Sequence, residues 1–245
     1  MIRDKRIALV FRAASFLFAL IGLLSMMGVF RGVIYSGILV YYTMQSNILG
    51  IVLFAMLTVR TAAGLRNDKS SNPELPGGKN GDAGLSDSRN IGAGYFSRFE
   101  MVCAIDIMLT FVVFWVLLAP MMFTMVAEYN LWSFDNLAVH GVTPLLCLID
   151  YILFTQPRHL KYRDVYYVII YPLVYLAGTS LAGLFGYVYS VSPVDGKPVR
   201  FPYFFYDFDR LGIAAIAYIG ALVIFFLIIA HGFYLVDTKL RKPSD

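Results

Sequence analysis

The sequence predicts an all-α membrane protein with six transmembrane helices, and three observations lead to this fold class. Of the 245 residues, 59% are hydrophobic and only 15% are charged, whereas soluble domains carry about 25% charged residues. The mean hydropathy is +0.69. The apolar residues form continuous runs as long as the roughly 20 residues that a helix needs to cross a bilayer. This composition excludes an ordinary soluble enzyme, a disulfide scaffold and a disordered regulator.

Six apolar runs qualify as spans, and together they predict a single domain over residues 1–245. The runs are continuous rather than alternating, which favours helices over barrel strands. The first run starts close to a basic N-terminus without a small-residue cleavage site, so we expect a permanent helix rather than a removed signal peptide. The predicted spans lie at about 7–30, 37–59, 99–127, 136–156, 165–189 and 211–235.

The distribution of Lys and Arg predicts the orientation of the spans. Six crossings place both termini on one side, and that side collects fifteen of the twenty basic residues, against four on the other side and Arg12 inside a span. Both termini are therefore predicted to be cytoplasmic, in a multi-pass protein of the plasma or cytoplasmic membrane. Because this orientation accounts for the net charge of +4, we expect no nucleic-acid partner.

Two connecting segments differ in character. Segment 61–98 is rich in Gly, Ser, Asn, Asp and Pro and has little to bury, which predicts a mobile cytoplasmic loop. Both a regulatory or partner-binding role and a plain linker remain open for it. Segment 190–210 mixes turn residues with aromatic residues and is predicted to form an ordered loop on the outer side.

One face of the second span is polar. Thr43, Ser46, Asn47 and Gly50 recur at i, i+3, i+4 and i+7, a spacing that places them on one side of a helix. Counted from Gly37, Thr43 is expected about 9 Å inside the membrane.

The fourth span also carries a polar stripe. Asn136, His140, Thr143, Cys147 and Asp150 recur at i, i+4, i+7, i+11 and i+14. His140 is expected about 6 Å deep, close to the level of Thr43. A hydroxyl and an imidazole at similar depth can meet if the two stripes face each other.

A hydroxyl next to an imidazole has a chemical meaning. The hydroxyl is a poor nucleophile until an adjacent base takes its proton, and histidine titrates near neutrality. The neighbouring amides and hydroxyl are candidates to orient the pair, bind substrate or stabilise an oxyanion: Gln45, Ser46, Asn47 and Asn136. The alternative that these side chains only hydrogen-bond between helices remains open.

A second polar group lies toward the cytoplasmic side. Charges at this depth should be paired, so Arg12, Asp106 and Asp150 are predicted to form one network. It serves either as a structural clamp between helices or as an ion or proton path. The two cysteines, Cys103 and Cys147, lie inside spans and suggest neither a disulfide nor a metal site.

The two stripes resemble those of a known family. Six spans with YYTMQSN in the second and NLAVHGVTP in the fourth resemble the androgen-induced, ADTRP-type family of integral membrane proteins. This resemblance implies a threonine hydrolase of fatty acid esters of hydroxy fatty acids, with Thr43 as the nucleophile and His140 as the base. The family includes bacterial relatives of unassigned function.

The functional prediction is a threonine-dependent carboxylic ester hydrolase that acts inside the membrane on long-chain acyl esters. It requires no metal and no organic cofactor, and its partner is a membrane lipid or acyl ester. Two alternatives remain open. One is an ion- or proton-coupled small-molecule carrier, and the other is a non-catalytic scaffold or lipid-binding protein whose loop recruits an unidentified protein.

Overall fold

The chain folds into a bundle of long apolar helices. The computed structural model describes residues 2, 4–70, 83–125, 130–155, 160–192 and 195–240. Within these residues, six helical segments are long and apolar enough to cross a membrane, which confirms the all-α polytopic fold. We number them in chain order: α1 is Lys5–Met26, α2 is Tyr42–Ser70, α3 is Ala83–Val113 continued by Phe114–Leu118 and Ala119–Met125, α4 is Phe134–Leu137, Ala138–Val142 and Thr143–Phe154, α5 is Tyr162–Ile169 and Ile170–Leu184, and α6 is Ala214–Leu235 continued by Val236–Leu240.

Helix α2 begins later than the apolar run predicts. The chain turns at Gly28, whose φ of 81° suits glycine, and Ser36–Val40 forms a short 3₁₀ helix. Tyr41 is then extended, with φ −78° and ψ 142°, so α2 starts at Tyr42. Thr43 is therefore the second residue of α2 rather than the seventh residue of a helical span, and its depth in the membrane stays a prediction.

Both ends of the predicted loop 61–98 are helical. Helix α2 continues to Ser70 and α3 begins at Ala83, while residues 71–82 lie outside the described part of the chain. The mobility of this segment stays a prediction.

The outer loop between α5 and α6 packs onto the bundle through its aromatic residues. Phe201 and Tyr206 are 1% and 2% exposed, and an ion pair between Arg200 and Asp209 closes the loop on itself. Its short elements are the antiparallel strands Ser190–Val191 (β1) and Pro198–Val199 (β2), the 3₁₀ turn Phe204–Tyr206 and the helical turn Phe208–Leu211.

The helices differ in how far they are enclosed. Half of the residues in the most apolar windows of α3 and α4 are buried, against 17% in α5 and 11% in α6. Helices α3 and α4 therefore form the centre of the bundle, while α5 and α6 turn most of their surface outward, toward lipid.

Small residues allow close contact between helices around the polar stripes. A Cβ atom added to Gly22 of α1 would lie 2.6 Å from the Cβ of Ala138 on α4, and one added to Gly50 of α2 would lie 2.8 Å from the Ile107 side chain of α3. Such glycines let helix backbones approach closely in membranes. They hold α1, α2, α3 and α4 together at the level of the polar side chains.

We predict that Gly22→Ala lowers stability by about 1–3 kcal/mol, because the new methyl group forces α1 away from Ala138. The measurement is thermal unfolding of the purified protein in detergent, followed by tryptophan fluorescence. Gly178→Ala is the matched control, since a Cβ there meets no atom within 4 Å. Equal melting temperatures for the two variants would contradict the predicted contact.

Candidate functional site

Two prolines inside spans set the local geometry of α3 and α4. Each follows a π-helical turn, with Phe114–Leu118 before Pro120 and Ala138–Val142 before Pro144. Proline lacks a backbone N–H and cannot continue the ladder of hydrogen bonds, and widened turns of this kind occur often at functional sites. The two turns are adjacent in the bundle and place their side chains against each other.

The loss of the Pro144 N–H is compensated from the neighbouring helix. In a regular helix this N–H would bond to the carbonyl four residues earlier, which belongs to His140. The indole Nε1 of Trp115 on α3 donates to that carbonyl instead, at 3.1 Å. This hydrogen bond fixes the backbone at His140 relative to α3.

The His140 side chain is enclosed and oriented. It is 5% exposed, and its ring stacks on Phe114 with 3.7 Å between ring centroids and 19° between planes. Its Nδ1 lies 3.2 Å from the carbonyl oxygen of Asn136. A carbonyl only accepts, so Nδ1 carries the proton of the neutral ring and Nε2 is the acceptor. No described residue hydrogen-bonds to Nε2, which leaves it in the form that a general base requires.

Thr43 lies in the first turn of α2, and its backbone carbonyl is held twice. It accepts from Ser46 Oγ at 3.0 Å and from Asn47 Nδ2 at 2.8 Å. The residue is 8% exposed and lies in the wall of a cavity. These contacts orient the start of α2 and leave the Thr43 hydroxyl for groups outside the helix.

The two polar stripes face each other, which the sequence left open. Asn47 Nδ2 also donates to the Val139 carbonyl of α4 at 3.0 Å, so one amide connects the backbone of Thr43 to the turn that carries His140. On the other side, Ser46 Oγ and Thr110 Oγ1 of α3 lie 2.7 Å apart. The described positions of the α4 stripe are buried.

The predicted pair itself is not joined in this structure. Within the described residues, no hydrogen bond connects the Thr43 hydroxyl with the His140 ring. Phe114 lies against both, since it stacks on the imidazole and lines the same cavity as Thr43. The catalytic pair therefore stays a prediction, and it requires the imidazole to approach the hydroxyl in the complex with substrate.

Two of the predicted orienting residues serve other parts of the bundle. The Gln45 amide donates to the carbonyl of Leu39 at 3.2 Å and accepts from the Tyr171 hydroxyl at 3.0 Å, which ties the start of α2 to α5. The Asn136 amide donates to the Leu131 carbonyl at 2.7 Å and closes the start of α4.

The predicted charge network forms only in part. Arg12 binds Asp150 through Nε at 2.8 Å and Nη2 at 3.1 Å, and its Nη1 donates to Thr61 at 2.7 Å. The inclusion of Asp106 is wrong, because α1 packs against α2 and α4 and its arginine does not extend to α3. Asp106 instead accepts from the Tyr42 hydroxyl at 3.3 Å.

An apolar cavity lies between α2, α3, α5 and α6, beneath the outer loop. Thr43 and Thr110 contribute the hydroxyls of its helical walls, and Leu173 of α5, which is 40% exposed, marks where the wall meets the lipid-facing surface. The lining is dominated by hydrocarbon and aromatic groups, including Leu109, Val113, Leu176, Leu222 and Phe226.

The outer loop contributes two phenols to the cavity that sequence reasoning missed, Tyr203 and Tyr206. Tyr203 lines the cavity together with Thr43. Burial raises the pKa of its phenol to about 12, and the Thr43 side chain and the backbone N–H groups of Thr43 and Tyr42 partly oppose this shift. The phenol therefore stays neutral at physiological pH. In the sequence, the cluster of aromatic residues at 201–206 was the feature that could have indicated this contribution to the cavity.

The described residues hold no group of three or more His, Cys, Asp and Glu side chains arranged to bind a metal ion. Comparisons of the chain with protein-family models, with curated proteins and with solved structures find no match.

We predict that Asn47→Asp destabilises the protein by about 1–3 kcal/mol, because it removes a donor shared by two buried carbonyl oxygens. Thermal unfolding in detergent measures this change. Asn130→Asp is the matched control, since the exposed Asn130 side chain acts as an acceptor toward the Trp132 N–H and Asp preserves that role. A variant at Asn47 as stable as the control would show that the amide does not connect α2 to α4.

Proposed function

We propose that this protein is an intramembrane hydrolase of long-chain acyl esters, with Thr43 as the nucleophile and His140 as the base. The observation that carries the proposal is the position of Thr43 in the wall of an otherwise apolar cavity. Such a lining suits a hydrocarbon chain, and Thr43 lies at the helix end near the outer side assigned by the charge distribution. An amphiphile would place its ester group at this level.

The environment of His140 supports its role as a base. Its Nδ1 is committed to the Asn136 carbonyl, which leaves Nε2 unprotonated, and the stack on Phe114 orients the ring. Catalytic hydrogen bonds in unliganded enzymes are often longer than in the complex and shorten when substrate binds. The proposal requires such a shortening between Nε2 and the Thr43 hydroxyl.

The reaction proceeds through an acyl-enzyme. Thr43 Oγ forms a bond to the ester carbonyl carbon while its proton passes to His140 Nε2, and the π-electron pair of the carbonyl moves to the carbonyl oxygen. Return of that pair breaks the bond to the alcohol oxygen, which takes the proton from the imidazole. A water molecule repeats both steps on the acyl-threonine and releases the carboxylic acid.

The substrate class follows from the cavity and from the family resemblance. The wall at Leu173 meets the lipid-facing surface, so an acyl chain can enter from the side without leaving the bilayer. Fatty acid esters of hydroxy fatty acids have two long apolar chains around one ester group, which suits the Thr43 hydroxyl in the wall of a largely apolar cavity. They are the first substrates to test.

We predict that purified wild-type protein in detergent hydrolyses such esters, and that Thr43→Val and His140→Phe lower kcat at least 100-fold, because each removes a group needed for acyl transfer. A fluorophosphonate probe should label Thr43 by mass spectrometry. Thr110→Val is the matched control, because this hydroxyl shares the cavity but is hydrogen-bonded to Ser46.

The results that overturn the proposal are specific. Wild-type protein without ester hydrolysis, full activity in Thr43→Val, or labelling at another residue would each exclude Thr43 as the nucleophile. Melting temperatures of all variants separate lost chemistry from lost folding.

Asp106 favours a second candidate function, a proton-coupled carrier. Its carboxylate is 1% exposed, and one of its oxygens has no hydrogen-bond partner among the described residues. A buried acidic group in a membrane protein is a common element of proton relays. If the protein is a carrier, reconstituted vesicles will show pH-driven flux that Asp106→Asn abolishes, and Thr43→Val will leave it intact.

A further inference from the structure

Four tyrosines line the cavity, and three have hydroxyl groups that are already committed. Tyr42 donates to Asp106 at 3.3 Å and Tyr175 donates to the Val40 carbonyl at 3.1 Å, while the Tyr206 hydroxyl lies 3.0 Å from Thr179 Oγ1. These hydrogen bonds hold the helices and the loop in place. The fourth tyrosine, Tyr203, differs from these three in the hydrogen bonding of its hydroxyl group.

The Tyr203 phenol lies at the start of α2, where the Thr43 side chain and the backbone N–H groups of Tyr42 and Thr43 oppose the rise of its pKa. These two N–H groups have no helical partner, because the helical bonds of α2 begin with the Met44 N–H, which bonds to the Tyr41 carbonyl at 3.0 Å. Among the described residues, no hydrogen bond donated by the Tyr203 phenol is found.

The ring of Tyr203 is fixed by its neighbours. It stacks on Phe205 with 5.2 Å between centroids and 8° between planes, and it meets Tyr41 edge-on at 6.0 Å. Further aromatic contacts are made with Tyr175 and Tyr206. A donor held in this way needs little reorganisation when charge develops beside it, which is the condition for electrostatic stabilisation of a transition state.

We propose that Tyr203 is a further catalytic residue, whose phenol donates a hydrogen bond to the carbonyl oxygen of the acyl ester as Thr43 attacks. This inference rests on the proposed hydrolase function. Attack by Thr43 Oγ places negative charge on the carbonyl oxygen of the ester. A hydrogen-bond donor stabilises this charge when it lies within about 3 Å of that oxygen. Tyr203 is the tyrosine that shares the cavity wall with Thr43 and whose proton is used in no hydrogen bond among the described residues. Its phenol stays protonated at physiological pH and so remains a donor.

The test compares Tyr203→Phe with Tyr189→Phe, which removes a hydroxyl from the same loop at a residue that does not line the cavity. Hydrolysis of a long-chain ester by the purified proteins gives kcat and KM. We expect Tyr203→Phe to lower kcat about 100-fold, as loss of an oxyanion donor does, with KM changed less than threefold. Tyr189→Phe should keep kcat within about threefold, because its hydroxyl donates to the Thr179 carbonyl at 3.1 Å.

A long-chain trifluoromethyl ketone supplies a second readout, because it forms a tetrahedral adduct with the nucleophile and imitates the transition state. Its inhibition constant should rise in Tyr203→Phe by the same factor by which kcat/KM falls, whereas a purely structural role would lower melting temperature and weaken all ligands alike. Activity of Tyr203→Phe within threefold of wild type, or an equal loss in Tyr189→Phe, would overturn the assignment of Tyr203 and leave Thr43 as the nucleophile. Wild-type protein without activity would overturn the hydrolase itself, and the role of Tyr203 with it.

Discussion

A polar group inside the hydrocarbon needs a partner within the bundle, and the amide of Asn47 is where this requirement shapes the site most. One nitrogen binds the carbonyl of Thr43 on its own helix and the carbonyl of Val139 on α4. The hydroxyl-bearing turn of α2 is thereby held against the imidazole-bearing turn of α4. Ser46 and Thr110 fix the opposite side of the same turn. The cavity wall at Thr43 takes its position from these few hydrogen bonds.

The same requirement explains the adjacent π-helical turns. Each proline removes one backbone donor and widens the turn before it, and Trp115 supplies a donor to the carbonyl that Pro144 leaves free. The widened turns bring Phe114 face to face with His140. The irregular turns of the two helices thus place a stacked and oriented pair of rings beside the cavity.

The spans and the two polar stripes could be predicted, because length, composition and a period of 3.6 residues carry that information directly. Whether the stripes face each other depends on how the helices pack, which this period does not specify. The start of α2 could not be predicted, since the apolar residues before Tyr42 suit a 3₁₀ turn as well as an α-helix. The partner of Asp106 depends on which helices are neighbours, and a charge in the sequence does not specify this. Tyr203 reaches Thr43 only because a loop folds back over the bundle, a long-range event without local periodicity. Pro120 and Pro144 are the sequence signal for the π-helical turns of α3 and α4.

The uneven enclosure of the six helices has a consequence for the cavity. Two of its four walls belong to α5 and α6, the helices with the fewest buried residues. Few protein contacts oppose a small movement of these two helices away from the bundle, so the surrounding lipid acyl chains form the rest of the cavity boundary. The shape of the cavity then depends on the bilayer as well as on the polypeptide. Membrane thickness and lateral pressure therefore influence which molecules can enter it.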